Sequence, residues 1–287
     1  MSDRYDIAII GSGPAGLSAA LNAKIRNKNF IIFGNKNLSG KLEKAPKINN
    51  YLGFYGVSGE ALKNNFRNHI EKMNIKITEE RVNAIYSLGD YFVLMANKKM
   101  YEASSVILAT GVEYTKPIEG EKDFLGKGVG YCATCDAPLY RDKIVSIISY
   151  NESGESDARY VSEIAKIVNY IPMYRGEYDL NKDNVNIIKD KPIKILGNNK
   201  VEGLVLKENT IKTDGVFLLK DSVSPSELVP GLKIVDRHIE VNRMMRTNIK
   251  GCFAAGDCTG SPYQFIKAAG EGNIAALSAV SYLDKVK

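Results

Sequence analysis

A chain of 287 residues, 44% hydrophobic and 25% charged, has the size of two ordinary domains and enough apolar content to bury a large core. No apolar run approaches the ~20 residues of a membrane span, and no basic run interleaved with aromatics marks a nucleic-acid groove. The net charge of +6 bears on partners and not on fold: it suits a solvated lysine-rich surface or docking to an acidic protein.

Tyr5-Asp6-Ile7-Ala8-Ile9-Ile10 reads as a short buried parallel strand ended by glycine. Gly11, Gly13 and Pro14 break this apolar start at once, so it does not read as a signal peptide. Gly11-Ser12-Gly13-Pro14-Ala15-Gly16 follows directly. A helical pattern then runs from Ala15 to about Arg26, and Phe30-Ile31-Ile32-Phe33 reads as a second strand. Strand, glycine turn, helix and strand within about 30 residues is the setting in which G-x-G-x-x-G holds a dinucleotide. Gly11 permits the tight turn, Gly13 lets the backbone approach a pyrophosphate, and Gly16 lets helix pack close to strand. The helix N-terminus offers unpaired N–H groups to the phosphates. The acidic residue that normally grips the ribose after the second strand is absent, and Phe33-Gly34-Asn35 stands there.

Ser58 to Met73 reads as a capped amphipathic helix with Leu62, Phe66 and Ile70 on one stripe. Val82 to Leu88, Tyr91 to Ala96 and Tyr101 to Leu108 read as strands, turning at Gly89-Asp90 and at Asn97-Lys98-Lys99. The third ends in Ala109-Thr110-Gly111. Next comes Cys132-Ala133-Thr134-Cys135-Asp136. Two thiols at this spacing can close a small disulfide, the first usually attacking and the second resolving. The same spacing also serves as half a zinc site. The other half is missing, because Cys252 and Cys258 are far away in sequence and His69 and His238 sit in no ligand spacing. Spacing alone favours redox use and leaves metal or structural use open; with the rest of the chain taken in, no metal is expected. Four cysteines without a leader pattern suggest a reducing cytoplasm and a catalytic pair.

From Arg141 a second unit begins. Ile144 to Ile148 reads as a buried strand and Asp157 to Val168 as a helix. Short strands surround Ile193 to Leu196, Val201 to Leu206 and Val216 to Leu219, with Gly197-Asn198-Asn199 as a hairpin turn. This looks like a second copy of the first architecture. The chain closes with a strand at Gly251 to Ala255, then Gly256-Asp257, then a helix from about Gln264 to Leu283.

Four blocks now carry a family resemblance: Gly11 to Gly16; Ile107-Leu108-Ala109-Thr110-Gly111; Gly130-Tyr131-Cys132-Ala133-Thr134-Cys135-Asp136; and Phe253 to Asp257 with Ala268-Ala269-Gly270-Glu271-Gly272. Over nearly its whole length the chain resembles the low-molecular-weight flavin thioredoxin reductases. Weaker matches are Ser39-Gly40-Lys41-Leu42 and Asn50-Tyr51-Leu52-Gly53. The resemblance implies an α/β fold of two Rossmann-like, three-layer domains. One is a discontinuous FAD domain, residues 1–115 and 230–287. The other, residues 116–229, is an inserted domain that carries the redox-active Cys-x-x-Cys. It implies FAD held by Gly11, Ser12, Gly13, Pro14, Ala15, Gly16, Phe33, Gly34, Ser39, Gly40, Lys41, Leu42, Asn50, Val82, Ala109, Thr110, Gly111, Gly256, Asp257, Gln264, Phe265 and Ile266. Gly256-Asp257 would lie near the ribityl chain and pyrophosphate, and Gln264 would face the isoalloxazine. The arginine usual before that glutamine is Tyr263 here. Cys135 would lie against the flavin, Cys132 would attack a thioredoxin disulfide, and Asp136 would protonate a departing thiolate. Asp136 also suits a helix N-cap, as does Asp257. Cys252 and Cys258 suit small packing residues. Homodimers are usual in the family.

The second unit departs from the family members that oxidise NADPH. Where a second glycine turn should stand, the chain has Ser149-Tyr150-Asn151-Glu152-Ser153-Gly154-Glu155-Ser156. Tyr150 blocks backbone approach, and Glu152 and Glu155 place negative charge where phosphates should go. Tyr170 to Tyr178 contains only Arg175 where a 2′-phosphate would need several arginines. The chain is in this respect similar to the ferredoxin-dependent flavin thioredoxin reductases. The expected reaction passes electrons from ferredoxin through FAD and the Cys132–Cys135 disulfide to thioredoxin. Two alternatives are an NAD(P)H-dependent reductase with a divergent nucleotide site and an FAD-dependent dithiol oxidase using oxygen. A non-catalytic flavoprotein is disfavoured by the intact cysteine pair.

Overall fold

The computed structural model describes residues 4–43, 45–97, 99–112, 117–152, 154–219 and 225–286. In chain order the strands begin with β1 (Tyr5–Ile10), β2 (Phe30–Phe33), β3 (Ile77–Thr78), β4 (Val82–Ser87), β5 (Phe92–Ala96) and β6 (Lys99–Leu108). Then come β7 (Val129–Gly130), β8 (Ile144–Ser149), β9 (Ile167–Pro172), β10 (Val185–Ile187), β11 (Pro192–Gly197), β12 (Val201–Leu206), β13 (Thr210–Lys212) and β14 (Gly215–Leu219). The last are β15 (Ile234–Val235), β16 (His238–Ile239) and β17 (Cys252–Ala254). The helices are α1 (Pro14–Ile25), α2 (Gly40–Glu43), α3 (Gly59–Lys72), α4 (Ala133–Asp136), α5 (Gly154–Ser162), α6 (Pro225–Leu228) and α7 (Phe265–Val286). None of the described helices is long and apolar enough to cross a membrane.

The chain divides into two compact units, Met1–Val112 with Ser224–Lys287, and Glu113–Val223. The first is built on a sheet of order β3-β2-β1-β6-β5-β4 with β17 also paired to β6. β3, β2, β1, β6 and β17 run parallel, whereas β4 and β5 are antiparallel. β1 is covered from Ile7 to Ile10, with Ile7, Ala8 and Ile9 at 0% exposure, because helices lie over a parallel sheet. Its core joins Ile7, Ile9, Ile32 and Ile107 to the small residues of α1 and α7, such as Ala19, Ala23, Ala275 and Ala279. Small side chains let these helices approach closely. At one crossing, a Cβ on Gly272 would strike the Ala15 backbone oxygen. Ser58 caps α3, its hydroxyl accepting from the Ala61 N–H at 3.1 Å.

The second unit repeats this plan with a parallel sheet of order β10-β9-β8-β14-β7 and a separate antiparallel sheet β11-β12-β13. Two cores flank the parallel sheet: Val145, Ile147, Val161, Val168 and Phe217 on one face, and Ile148, Ile171, Leu204, Val216 and Leu218 on the other. The helix expected over Asp157 to Val168 is a correction. α5 starts earlier, at Gly154, and stops at Ser162. Turn bonds from Glu163, Ile164 and Ala165 close it, and the Lys166 N–H reaches the Lys143 carbonyl at 2.9 Å. The apolar run beyond is the buried strand β9. Periodicity alone does not separate a short apolar run in a helix from one in a parallel strand.

Candidate active site

Four parallel strands of the first unit bring their carboxyl ends together. The Gly11 N–H donates to the Phe33 carbonyl (2.8 Å), Ala109 N–H to Ile10 (2.8 Å) and Ala255 N–H to Leu108 (2.9 Å). Gly11–Gly16, Phe33-Gly34, Ala109–Gly111 and Gly256 thus meet where open α/β sheets bind ligands. Gly11 has φ +117° and backs on the Ala109 carbonyl, and Gly16 backs on the Gly11 carbonyl, so neither has room for a Cβ. Gly34 packs on Ser12, whose hydroxyl donates to the Asn35 carbonyl at 2.8 Å. A Cβ on Gly256 would come 2.9 Å from that of Ala15.

Gly13 is different: a Cβ there would meet nothing within 4 Å. It caps α1 with no side-chain hydrogen bond, and the first turn holds no acidic residue. The N–H groups at this helix start are left for an anion. These residues fit a dinucleotide pyrophosphate.

The remaining flavin candidates lie in the same unit. Lys41, in α2 after Ser39 and Gly40, places Nζ 3.4 Å from Asp257 Oδ2. Asp257 opens a short 3₁₀ turn after Gly256 and does not cap it. Gln264, Phe265 and Ile266 lead into α7; the Ala268 N–H donates to the Gln264 carbonyl (3.0 Å), and Ala268 lies beside Gly256. Leu42 and Phe265 share an apolar cluster with Tyr51, one residue from the exposed Asn50. Val82 opens β4 at the end of a run tied to the second strand, the Gly34 N–H donating to the Thr78 carbonyl at 3.1 Å.

Sequence reading missed two groups here. Lys267 donates to the carbonyls of Gly256 (2.9 Å) and Gly260 (2.8 Å) and pairs with Glu271 (3.0 Å), which accepts from the Gly256 N–H (2.8 Å). This i,i+4 pair was visible in the sequence. His238 Nε2 lies 2.6 Å from the Tyr263 hydroxyl, a contact no spacing announces. Cys252, which opens β17, and Cys258, just beyond its end, are buried as the small packing residues that the sequence suggests. Burial pushes their thiols up to about 12 and about 11.

In the second unit Cys132 and Cys135 are joined as a disulfide with Cα atoms 5.3 Å apart. Cys132 is the N-cap of α4, its Sγ accepting from the Cys135 N–H at 3.3 Å and lying 3.5 Å from the Thr134 hydroxyl. Cys132 is half-buried and Cys135 exposed. Tyr131 just before them donates to the buried Glu121 at 2.9 Å. Asp136 ends α4 and makes no side-chain cap to the following 3₁₀ turn. Its carboxylate lies where a side chain at Gly130 would sit, 2.7 Å from a Cβ there. Burial raises the Asp136 pKa, and the Asp136 charge adds to burial in raising that of Tyr140.

The second turn is filled from within. Gly154 packs on the Ser149 side chain, as a helix start must to approach its strand. The first turn of α5 then carries Glu155 and Asp157. Glu155 is 9% exposed. It accepts from the Tyr174 hydroxyl (2.6 Å) and the Asp179 N–H (3.1 Å), with Arg159 at 3.8 Å. Burial and the Glu155 hydrogen bond both raise the Tyr174 pKa, so the hydroxyl stays protonated and keeps donating. Tyr150 is half-buried and packs against the core cluster that includes Ile148 and Ile171.

A family model for pyridine nucleotide-disulphide oxidoreductases matches residues 5–148 and 174–272. It breaks off over the second turn, α5 and all of β9. A crystal structure of a ferredoxin-flavin thioredoxin reductase from Clostridium acetobutylicum matches at TM-score 0.95 and 58% identity, covering 98% of this chain and 99% of that one. A second structure described in the same words, from the same organism, matches at TM-score 0.90 and 62% identity, over 99% of both chains. The thioredoxin reductase of Bacillus subtilis (strain 168) is 30% identical, covering 99% of this chain and 96% of its own.

Proposed function

The chain belongs to the pyridine nucleotide-disulphide oxidoreductases, among the low-molecular-weight flavin thioredoxin reductases, and on that premise we propose that it takes its electrons from reduced ferredoxin. It is a thioredoxin-disulfide reductase with FAD as cofactor. One observation carries the donor reading. The Glu155 carboxylate, held by Tyr174 and Asp179, occupies the helix start at which a nicotinamide dinucleotide would place its phosphates. The ferredoxin-flavin names of the two Clostridium acetobutylicum structures support the donor.

Bound FAD supplies the conversion between single electrons and the pair that a disulfide takes. Gly11–Gly16 and Gly256 would hold its pyrophosphate side, Asp257 would accept hydrogen bonds from its hydroxyls, and Phe33, Gly34, Ser39–Leu42, Asn50, Val82, Ala109–Gly111 and Gln264–Ile266 would complete its contacts. Two electrons and two protons open Cys132–Cys135. The Cys132 thiolate, favoured by the N–H of Cys135, attacks one sulfur of the thioredoxin disulfide. The leaving thioredoxin thiolate takes a proton from Asp136, whose hold on a proton burial strengthens. Cys135, its proton returning to Asp136, then attacks Cys132 Sγ in the mixed disulfide and expels the second thioredoxin sulfur, which takes a proton from solvent as the Cys132–Cys135 bond is restored. A ferredoxin near −400 mV against thioredoxin near −270 mV makes this favourable by about 6 kcal/mol per electron pair. The enzyme is read as a homodimer of cytoplasmic subunits.

Anaerobic turnover tests the proposal. Thioredoxin dithiol should form with photoreduced ferredoxin and not with NADPH or NADH. Dithiol formation from NADPH at a comparable rate would replace ferredoxin as the donor. Peroxide release from dithiol thioredoxin in air, without any forward turnover, would favour an oxidase.

A further inference from the structure

The net charge is not spread over the chain. Residues 34–76, between β2 and β3, hold eight lysines and arginines against three acidic residues, a net +5 out of +6. Within this segment, residues 48–57 form a closed loop. Ile48 and Val57 pair at its base, the Ile48 N–H donating to the Val57 carbonyl at 2.8 Å. Tyr51 and Phe54 pair at its tip, with Gly53 at φ +92° in the turn. The Tyr51 and Phe54 rings meet edge to face at 5.8 Å and pack inward in the same apolar cluster as Leu42 and Phe265. That geometry throws the other two side chains out. Leu52 is 91% exposed and Tyr55 is 89% exposed, above every other large apolar residue among those described. Lys47 is exposed at the base and lies across Gly56, its Cε 3.5 Å from where a Cβ would be.

A loop braced at both ends does not expose two apolar groups through slackness. Folding gains nothing from holding them in water, so they suit a partner that covers them. We infer that Leu52, Tyr55 and Lys47 form the docking surface for reduced ferredoxin. The surface rests on the ferredoxin reading and gives it a place. An acidic one-electron carrier matches a segment with a net charge of +5 and an exposed Lys47 at the base of this loop. Docking there would bring it against the loop whose inward rings pack with Leu42 and Phe265, two residues assigned to the flavin. Apolar contact at the centre and charge at the edge is the usual layout of such an interface.

Stopped-flow reduction of the FAD-loaded enzyme by reduced ferredoxin tests this, with wild type, Lys47→Glu and a Leu52→Ser/Tyr55→Ser double variant. Wild type should slow as salt rises. Lys47→Glu should lower the second-order rate about tenfold at low ionic strength and flatten that salt dependence, since steering acts through exposed charge. The double variant should lower the rate at every salt concentration. Reduction by dithionite, FAD content and thioredoxin KM should stay at wild-type values. Wild-type rates with ferredoxin in both variants would overturn the surface and leave the donor reading intact. Wild type that ferredoxin fails to reduce would overturn both. A raised thioredoxin KM with unchanged ferredoxin rates would assign the loop to thioredoxin. A changed sedimentation coefficient in the double variant, with unchanged ferredoxin rates, would assign it to a second copy of the chain.

Discussion

α1 and α5 leave the carboxyl ends of central strands in two sheets of matching order, yet their first turns differ in charge. α1 begins behind an open glycine, with no acid in its first turn. α5 begins with Glu155 and Asp157, one of them bonded to a tyrosine and a backbone N–H. What survives in the second turn is the part the fold needs. Gly154 still lets helix approach strand through Ser149, as Gly16 does through Gly11. What differs is the acid-free helix start that phosphates would need. Packing and phosphate binding are separable demands on one turn, and the second unit keeps its sheet while serving its disulfide.

The sharpest test of that division is removal of the disulfide. Cys132→Ser and Cys135→Ser should each abolish thioredoxin reduction, because attack and resolution need both thiols. FAD content should stay at about one per chain. Loss of flavin from either variant would mean that the cofactor depends on the second unit. With Cys132 replaced, the free Cys135 thiolate should show a long-wavelength charge-transfer band with oxidised flavin. A band in the Cys135→Ser variant instead would exchange the two roles.

Next in size is Gly13→Glu, which gives the first turn the charge of the second. Space is open there and φ is −79°, so the unit should fold. A carboxylate beside the pyrophosphate costs about 4 kcal/mol at an effective dielectric near 20, roughly a thousandfold in affinity. The protein should purify colourless with an unchanged circular dichroism spectrum. Retention of yellow colour would show that phosphates bind elsewhere.

Asp136→Asn should slow thioredoxin reduction roughly 10²-fold, a usual share for one positioned acid. Burial raises the Asp136 pKa above its ordinary value, so wild-type activity should fall as pH rises through the raised value, and the variant should lose that limb. The folded state holds its proton to higher pH than the unfolded state. Stability is therefore greatest below the unfolded pKa and declines as pH rises through the folded one. Melting of the variant should be flat over that window. A pH–rate profile shared by both proteins would remove Asp136 from proton transfer.

The smallest effect is expected from Glu155→Gln. The amide would face the Asp179 N–H with a donor, costing the second unit about 1–2 kcal/mol in a denaturant melt. It should gain no protection from NADPH. A melt raised by NADPH would show that the filled turn still takes a nucleotide.

Much of this was legible in sequence where the determinants are local. β1, its glycine turn and α1 are contiguous, and so are the two cysteines. The boundary of α5 was not legible, because Ile167, Val168 and Ile171 are equally apolar on a helix or in a parallel strand. Very short strands such as β3 and β7 carry too few residues for a pattern. The acidic second turn was visible, but its partners were not: Tyr174 and Asp179 lie 19 and 24 residues from Glu155. Lys41 and Asp257 meet across a separation of 216 residues, which only the sheet order brings together.

Anaerobic stopped-flow mixing of the oxidised enzyme with NADPH, with NADH and with reduced ferredoxin tests the contrast between the two turns most directly. Flavin bleaching should be fast with ferredoxin and negligible with either nicotinamide. Bleaching by NADPH as fast as by ferredoxin would contradict it, since the turn closed by Glu155 would then be a working nucleotide site.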